Sequence, residues 1–404
     1  MRIAFITYEY PPETGKGGIG TYTKQVAEML VSKGWDVHVF CGTADANTST
    51  TEAGIQLHKT QCAHPHDFTF KVVPVFLAEF NKKKFELAEV PEIHSNASEI
   101  KKQLPNLPLI IRLHAPNYLV ERLKKKYVPF TNKLRYVLGA LRRFKWDAGY
   151  WAKYNKEADN DYQQMNTATK IVAPSALMKQ WAVTNWNINA EQIEVVPNIF
   201  SPAPALLQIP IDEHAKNKTI LFFGRLNVLK GLVNATYALK KNLQKHSDWK
   251  FLVVGDDGPG LDGKSSLRLW MQRQLKNFET QIHFEDGVAY ELLPQYLQKA
   301  DIVILPSLFE SFSYACLEAM AAGKAVVGSK GTGMESIIAH EKNGLLANPN
   351  DAEDIAACIE MLIGNVSKRN SIAREARKTA SEKFISEKLF ALYEQLYKEA
   401  VAGG

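Results

Sequence analysis

Cysteine is scarce in this chain: Cys41, Cys62, Cys316 and Cys358 are the only four among 404 residues, and no two have paired spacing. That scatter argues against a disulfide framework or a structural zinc site and leaves four small core or surface residues. No apolar run approaches the length needed to span a bilayer. The opening residues, Met1-Arg2-Ile3-Ala4-Phe5-Ile6, enter a buried-strand pattern without the apolar stretch and cleavage site of a secretory signal, so a cytoplasmic protein is expected. The dinucleotide fingerprint G-x-G-x-x-G is missing as well, which argues against a dehydrogenase. Disorder is excluded by a composition of 46% hydrophobic and 23% charged residues, and 404 residues exceed a typical single core.

Apolar runs of β type alternate with helical periodicities for most of the length, the pattern of parallel sheets covered by helices, so the fold class is α/β. Strands are expected at Ile3–Thr7, Val37–Cys41, Leu109–His114, Lys170–Ala173 and Glu194–Val196 in a first series. A second series is expected at Thr219–Phe223, Phe251–Val254, Ile282–Phe284, Ile302–Leu305 and Ala325–Val327. Tyr22, Val26, Met29 and Leu30 share one face of a helix closed by Gly34. Pro197-Asn198 and the prolines at 202, 204 and 210 read as a linker, which divides the chain into domains at 1–198 and 199–383. Leu389, Leu392, Leu396 and Tyr397 mark an amphipathic terminal helix over 384–404.

In open α/β sheets ligands bind beyond the carboxyl ends of strands, so the loops there carry the candidate chemistry. After the first strand, the glycines of Tyr10-Pro11-Pro12-Glu13-Thr14-Gly15-Lys16-Gly17-Gly18-Ile19-Gly20 either let backbone amides approach a phosphate at a helix start or simply make a turn. In Gly224-Arg225-Leu226-Asn227-Val228-Leu229-Lys230-Gly231, two cations five residues apart can neutralise a diphosphate. In Pro306 to Met320, Glu310 and Glu318 flank a helix start, and carboxylates so placed accept hydrogen bonds from sugar or ribose hydroxyls. Asp256-Asp257 resembles a metal-binding D-x-D pair, but it lies in a glycine-proline turn and Arg225 with Lys230 already offset phosphate charge, so it reads as structural and no metal or other cofactor is expected.

Taken together these segments resemble the E-x7-E family of retaining glycosyltransferases, the family four type that includes many bacterial mannosyl-, glucosyl- and N-acetylglucosaminyltransferases. Gly17-Gly18 resembles its glycine loop, Gly224-Arg225 with Lys230-Gly231 its G-R-x4-K-G diphosphate site, Val253 to Pro259 its G-D-G-P turn, and Asn343-Gly344-Leu345-Leu346 its closing N-G-L-L segment. The resemblance implies a GT-B fold: two Rossmann-like domains facing across a cleft that closes on the donor, with the C-terminal helix crossing back to the first. It assigns Arg225 and Lys230 to the diphosphate, Glu318 to the ribose, and Glu310 with the Phe312 and Ser313 amides to the transferred sugar. His114 matches the active-site histidine, and the loop at Asp286-Gly287-Val288 the backbone contacts to the base. The family often has glycine at Ser313, whose extra side chain would crowd the sugar or add a hydrogen bond to it.

The implied reaction moves a hexose from a nucleotide-diphosphate sugar, a UDP-sugar ahead of GDP-mannose, to a hydroxyl of a glycan or lipid-linked acceptor in polysaccharide or glycolipid assembly. Front-face attack then needs no protein base, because the leaving phosphate oxygen takes the acceptor's proton. A sugar-nucleotide epimerase and a catalytically inactive sugar-nucleotide-binding relative are the alternatives. Acceptor recognition is expected in loops of the first domain, including Glu89-Val90-Pro91-Glu92-Ile93-His94-Ser95. From Lys101 to Lys145 there are twelve Lys and Arg against the single acid Glu121. Within this basic stretch, 101–146, Leu134, Val137, Leu138 and Leu141 share a helical face, which lies either on an anionic membrane surface or against the core of the first domain. The first reading puts the protein at the inner face of the cell membrane. No recognition motif accompanies the basic residues, so nucleic acid is not an expected partner.

Overall fold

The computed structural model describes residues 1–12, 14, 17–144, 151, 153–211, 217–261 and 264–403. Glu13, Gly15 and Lys16 of the glycine loop, and Lys145 and Trp146 at the end of the basic stretch, lie outside the described residues. The chain divides into two compact units, Met1–Asn117 with Asn155–Ser201 and Lys383–Gly404, and Tyr118–Tyr154 with Pro202–Glu382.

The first unit is built on strands β1 (Arg2–Ile6), β2 (Asp36–Thr43), β3 (Thr48–Glu52), β4 (Ile55–Gln61), β5 (Leu87–Pro91), β6 (Leu109–Arg112), β7 (Lys170–Ala173) and β8 (Ile193–Val195). Among the described residues they form one sheet in the order β3-β4-β2-β1-β5-β6-β7-β8, parallel except for the β3–β4 hairpin. In register Ile3 lies beside Val37 on one side and Leu87 on the other. The apolar strand residues are buried because helices cover a parallel sheet on both faces. One of these helices, Gly18–Ser32, buries Tyr22, Val26, Met29 and Leu30. The terminal helix Ser386–Ala402 also belongs to this unit and packs on β5 and on Gly18–Ser32, the return expected from the resemblance.

The segment Glu89–Pro91, expected as an acceptor loop, is instead part of the central strand β5. Its carboxylate is stabilised inside the sheet layers: Glu89 accepts from Tyr22 Oη at 2.5 Å and Arg112 Nε at 3.0 Å through Oε1, and from Tyr397 Oη at 2.8 Å through Oε2. Burying a charge is tolerated only with such pairing. A second correction concerns 118–154, which the sequence places in the first domain. Its helix Asn117–Tyr127 is tied to the second unit, with Lys126 Nζ donating to Asn350 Oδ1 at 2.6 Å and Tyr127 hydrogen-bonded to Asn234.

The second unit carries β9 (Thr219–Phe223), β10 (Lys250–Val254), β11 (Ile282–Glu285), β12 (Ile302–Ile304), β13 (Ala325–Ser329) and β14 (Leu345–Ala347), all parallel, in the order β11-β10-β9-β12-β13-β14. This is the doubly wound order, with its switch point between β9 and β12. Ile220, Phe222, Phe251 and Val253 of the sheet pack with Leu232, Leu239, Ile359 and Leu362 of the covering helices. Each such side chain contributes about 1.5–3 kcal/mol of burial. All four cysteines are buried. Among the described residues no helix is long and apolar enough to cross a membrane.

Candidate active site

At the switch point of the second unit, crossovers leave β9 and β12 in opposite directions, and the loops after these strands flank a crevice. Gly224 to Gly231 follow β9, and Leu305 to Ser313 follow β12. The two loops are fastened together: Leu308 N donates to Leu229 O at 2.8 Å, and a Cβ on Gly231, whose φ is 69°, would fall 1.7 Å from Pro306 O. Only glycine permits both that backbone conformation and that approach. Asn227 caps the short turn Val228–Lys230 through its side chain, which accepts from Lys230 N. This turn directs the lysine at the neighbouring loop. Lys230 Nζ lies 2.5 Å from Glu310 Oε1, which also accepts from Ser307 Oγ at 3.0 Å. Gly333 N donates to Glu310 O at 2.6 Å and holds the backbone of the same residue.

Arg225 is exposed on the first of these loops, and no carboxylate pairs with it among the described residues. Phe312 is buried, and Ser313 is the N-cap of the helix Tyr314–Ala321. Ser313 Oγ accepts from Cys316 N at 3.3 Å. The hydroxyl that replaces the family's glycine is therefore engaged with its own helix, rather than free to crowd a sugar. On that helix stands Glu318, hydrogen-bonded to Tyr290 and largely buried; burial pushes its carboxyl up to about 7, against the lowering effect of the tyrosine. Tyr290 follows Val288 on the loop after β11, and this loop is held by Asp256, whose Oδ1 accepts from Gly287 N at 3.1 Å. Asp257 Oδ1 accepts from Gly258 N at 2.9 Å and Arg268 N at 3.0 Å. Both members of the acidic pair thus hold backbone in place, as expected of a turn.

The second unit therefore brings Gly224, Lys230, Glu310 and Ser313 onto two adjoining loops, with Glu318 and the Val288 loop joined through Tyr290. Such an array presents cations, a helix start and two carboxylates, a set suited to a polyanion attached to hydroxyl-bearing sugars.

The first unit holds the other candidates. Gly17 caps the helix Gly18–Ser32, and a Cβ there would approach Glu9 Oε2 to 2.5 Å, so the helix start lies close against the chain leaving β1. Tyr22, on the same helix, places its ring edge-on to His114 with centroids 5.5 Å apart. His114 itself is buried just beyond β6; burial and the nearby Arg112 charge bring its imidazole down to about 3, so it is neutral near pH 7. Glu92 clasps this strand end: it accepts from His114 N at 2.8 and 2.9 Å and from Ala115 N at 2.5 Å. Despite those donors, burial pushes the Glu92 carboxyl up to about 8.

Motif reasoning missed Tyr290, Ser307 and Glu92. Glu92 lies in the stretch read as an acceptor loop, and a buried glutamate beside a strand-end proline has no distinguishing pattern in one sequence. Tyr290 and Ser307 are detectable only as neighbours of residues already singled out.

Comparison with known proteins accounts for both halves. Residues 16–203 match the model described as Glycosyltransferase Family 4, and residues 208–379 match that described as Glycosyl transferases group 1. An uncharacterized glycosyltransferase of Methanocaldococcus jannaschii is 25% identical over 99% of this chain and 99% of its own length. Sucrose-phosphate synthase from Thermosynechococcus elongatus superposes with a TM-score of 0.75 at 20% identity, covering 100% of both chains. HepE of Anabaena, solved in complex with UDP and glucose, gives 0.66 at 20% identity over 98% of this chain and 100% of its own. At these identities the structures share the GT-B fold of two Rossmann-like domains.

Proposed function

The chain belongs to the group 1 and family 4 glycosyltransferases and is a hexosyltransferase, and from that premise we infer a retaining enzyme that moves a hexose from a UDP-sugar to a hydroxyl of a glycan or lipid-linked acceptor. The observation that carries this reading is the Lys230–Glu310 pair across the β9–β12 switch point, 2.5 Å apart, which sets a phosphate-binding cation beside a sugar-binding carboxylate. UDP is favoured over GDP because HepE, a protein of the same fold, binds UDP and UDP-glucose; GDP-mannose is the next candidate.

In this reading Arg225 and Lys230 offset the diphosphate and the charge that develops as it departs, the largest contribution expected of a preorganised site. Gly224, Gly17 and Gly18 are the glycines assigned to letting backbone approach the phosphates. Glu318 accepts the ribose hydroxyls, the loop at Val288 meets the base, and Glu310 with the Phe312 and Ser313 amides holds the sugar. A neutral His114 serves as a hydrogen-bonding group to the sugar rather than as a cation. The acceptor hydroxyl attacks on the face the phosphate leaves; its proton passes to the departing phosphate oxygen, the glycosidic phosphate bond breaks, and configuration is kept. Two cations in place make a metal superfluous. The enzyme works in the cytoplasm, peripheral to the inner face of the cell membrane, in polysaccharide or glycolipid assembly.

Thermal stabilisation and slow hydrolysis with uridine-, guanosine- and adenosine-diphosphate sugars, each with and without EDTA, test this. Stabilisation by a UDP-sugar alone, indifferent to EDTA, is the expected result. Selective stabilisation by another base would overturn the donor assignment, and loss of stabilisation in EDTA the metal-free site. Product analysis separates the rivals: an epimerase returns a rearranged sugar nucleotide, and an inactive relative binds the donor without releasing nucleoside diphosphate.

A further inference from the structure

The helix Phe130–Arg142 turns its apolar stripe away from the protein. Phe130 is 69% exposed, Leu134 45%, Leu138 49% and Leu141 45%, and Phe144 just beyond is 99% exposed, while the helix buries only Ala140. At 3.6 residues per turn, 130, 134, 137, 138 and 141 fall within an arc of roughly 100°. A stripe of that width ordinarily faces a core, and here it does not. Trp151, 51% exposed, stands edge-on to Phe130 with centroids 6.4 Å apart and extends the patch.

The charge around the stripe is of one sign. Residues 117–144 hold eight Lys and Arg against Glu121, a surplus greater than the +6 of the entire chain. Helical spacing sets Arg135 and Arg142 along one edge of the stripe and Lys133 along the other. Lys101 and Lys102 do not take part: they lie on the helix Ala97–Gln103 of the first unit, where Lys101 Nζ donates to Leu107 O. The surface is thus narrower than the basic stretch read from the sequence.

We infer that this helix is an interfacial anchor for an anionic phospholipid bilayer: Phe130, Leu134, Leu138, Leu141 and Phe144 enter the headgroup boundary while Lys133, Arg135 and Arg142 extend to lipid phosphates. A second copy is a poor occupant, because pairing the stripes would oppose two sets of cations with no carboxylate between them. Nucleic acid matches the charge but not the aliphatic stripe. The inference deepens the peripheral placement proposed above and rests on it for location only; the transfer chemistry does not enter.

The test is co-sedimentation of the full chain with vesicles of phosphatidylcholine alone or mixed with phosphatidylglycerol. Binding to the mixed vesicles only is expected, weakened about fivefold by each of Arg135→Gln and Arg142→Gln and abolished by the double change Leu134→Asp, Leu138→Asp. These positions are exposed, so unchanged melting curves are expected of every variant. Binding that ignores phosphatidylglycerol, or that survives the double aspartate change, would overturn the inference. So would a dimer in sedimentation velocity that the aspartates dissolve. Vesicle binding by a chain that no donor stabilises would leave the anchor standing and sink the donor assignment instead.

Discussion

Replacing Lys230 by alanine separates what the site does for folding from what it does for chemistry. The ammonium pairs with Glu310 at 2.5 Å, with the two side chains 33% and 17% exposed. A pair that water reaches contributes at most about 1 kcal/mol after screening, and Glu310 keeps the Ser307 hydroxyl at 3.0 Å when the lysine is gone. A domain of this size loses about 2–4 °C of melting temperature per kcal/mol, so Lys230→Ala should melt within a few degrees of the parent. In the proposed reaction the same ammonium opposes the charge gathering on the departing diphosphate. A preorganised group in that role contributes about 10²–10³ in kcat, or about 2.7–4 kcal/mol. Release of nucleoside diphosphate from the donor that stabilises the protein, measured at saturation beside a melting curve, gives both quantities. The expected result is a fall in turnover of at least about a hundredfold with little change in melting. Near-normal turnover would refute the role given to the lysine, and a melting collapse would refute the account of the ion pair.

Three further substitutions probe the surrounding geometry. Gly231→Ala should cost about 1–2 kcal/mol for the left-handed backbone alone and more for the collision with Pro306 O, with loss of donor-induced stabilisation; full donor binding would show that the β9 and β12 loops need not approach so closely. Glu318 must be ionised to accept two ribose hydroxyls, and burial raises its carboxyl to about 7, so donor affinity should fall as pH drops through that value, by up to about tenfold per unit; calorimetric titration that shows a flat profile, or the same slope in Glu318→Gln, would refute it. Ser313→Ala removes a helix cap and should cost about 1 kcal/mol, and Ser313→Gly a few tenths, with donor preference unchanged in both; a switch of preferred sugar would mean that the hydroxyl faces the ligand after all.

The parts of the fold that were legible are those in which each residue makes the same demand as its neighbours. Strands such as Thr219–Phe223 and Ala325–Ser329 are buried throughout, so an unbroken apolar run announces them. β3 and β14 fail that criterion: Thr48–Glu52 is exposed at every position, and Leu345–Ala347 is only three residues long. β5 fails for a more instructive reason. Glu89 and Pro91 break its pattern, and the partners that make Glu89 tolerable there lie 23, 67 and 308 positions away, in Arg112, Tyr22 and Tyr397. The helix Phe130–Arg142 shows the converse limit, since its periodicity signals a helix but says nothing about which side of the stripe water occupies.

The site divides along the same line. Arg225, Lys230, Glu310 and Glu318 stand out because the proposed ligand, a diphosphate bearing two sugars, would require cations and carboxylates within one loop or one helix start, and that requirement is written in local spacing. What keeps those groups in place is not local. Lys230 reaches Glu310 only because Gly231 lets its loop lie against Pro306, and His114 is held by Glu92, 22 positions earlier. Tyr290, beyond β11, and Glu318, on the helix Tyr314–Ala321, meet from separate segments of the chain. These supporting residues are of ordinary type, and their importance comes from burial and from partners far along the chain. A ligand's demands therefore leave a motif, while the protein's means of meeting them are distributed among residues that only the fold brings together. It follows that substitutions at Glu92 or Ser307, which no motif singles out, should weaken the site by displacing His114 or Glu310 rather than by removing a contact to the ligand.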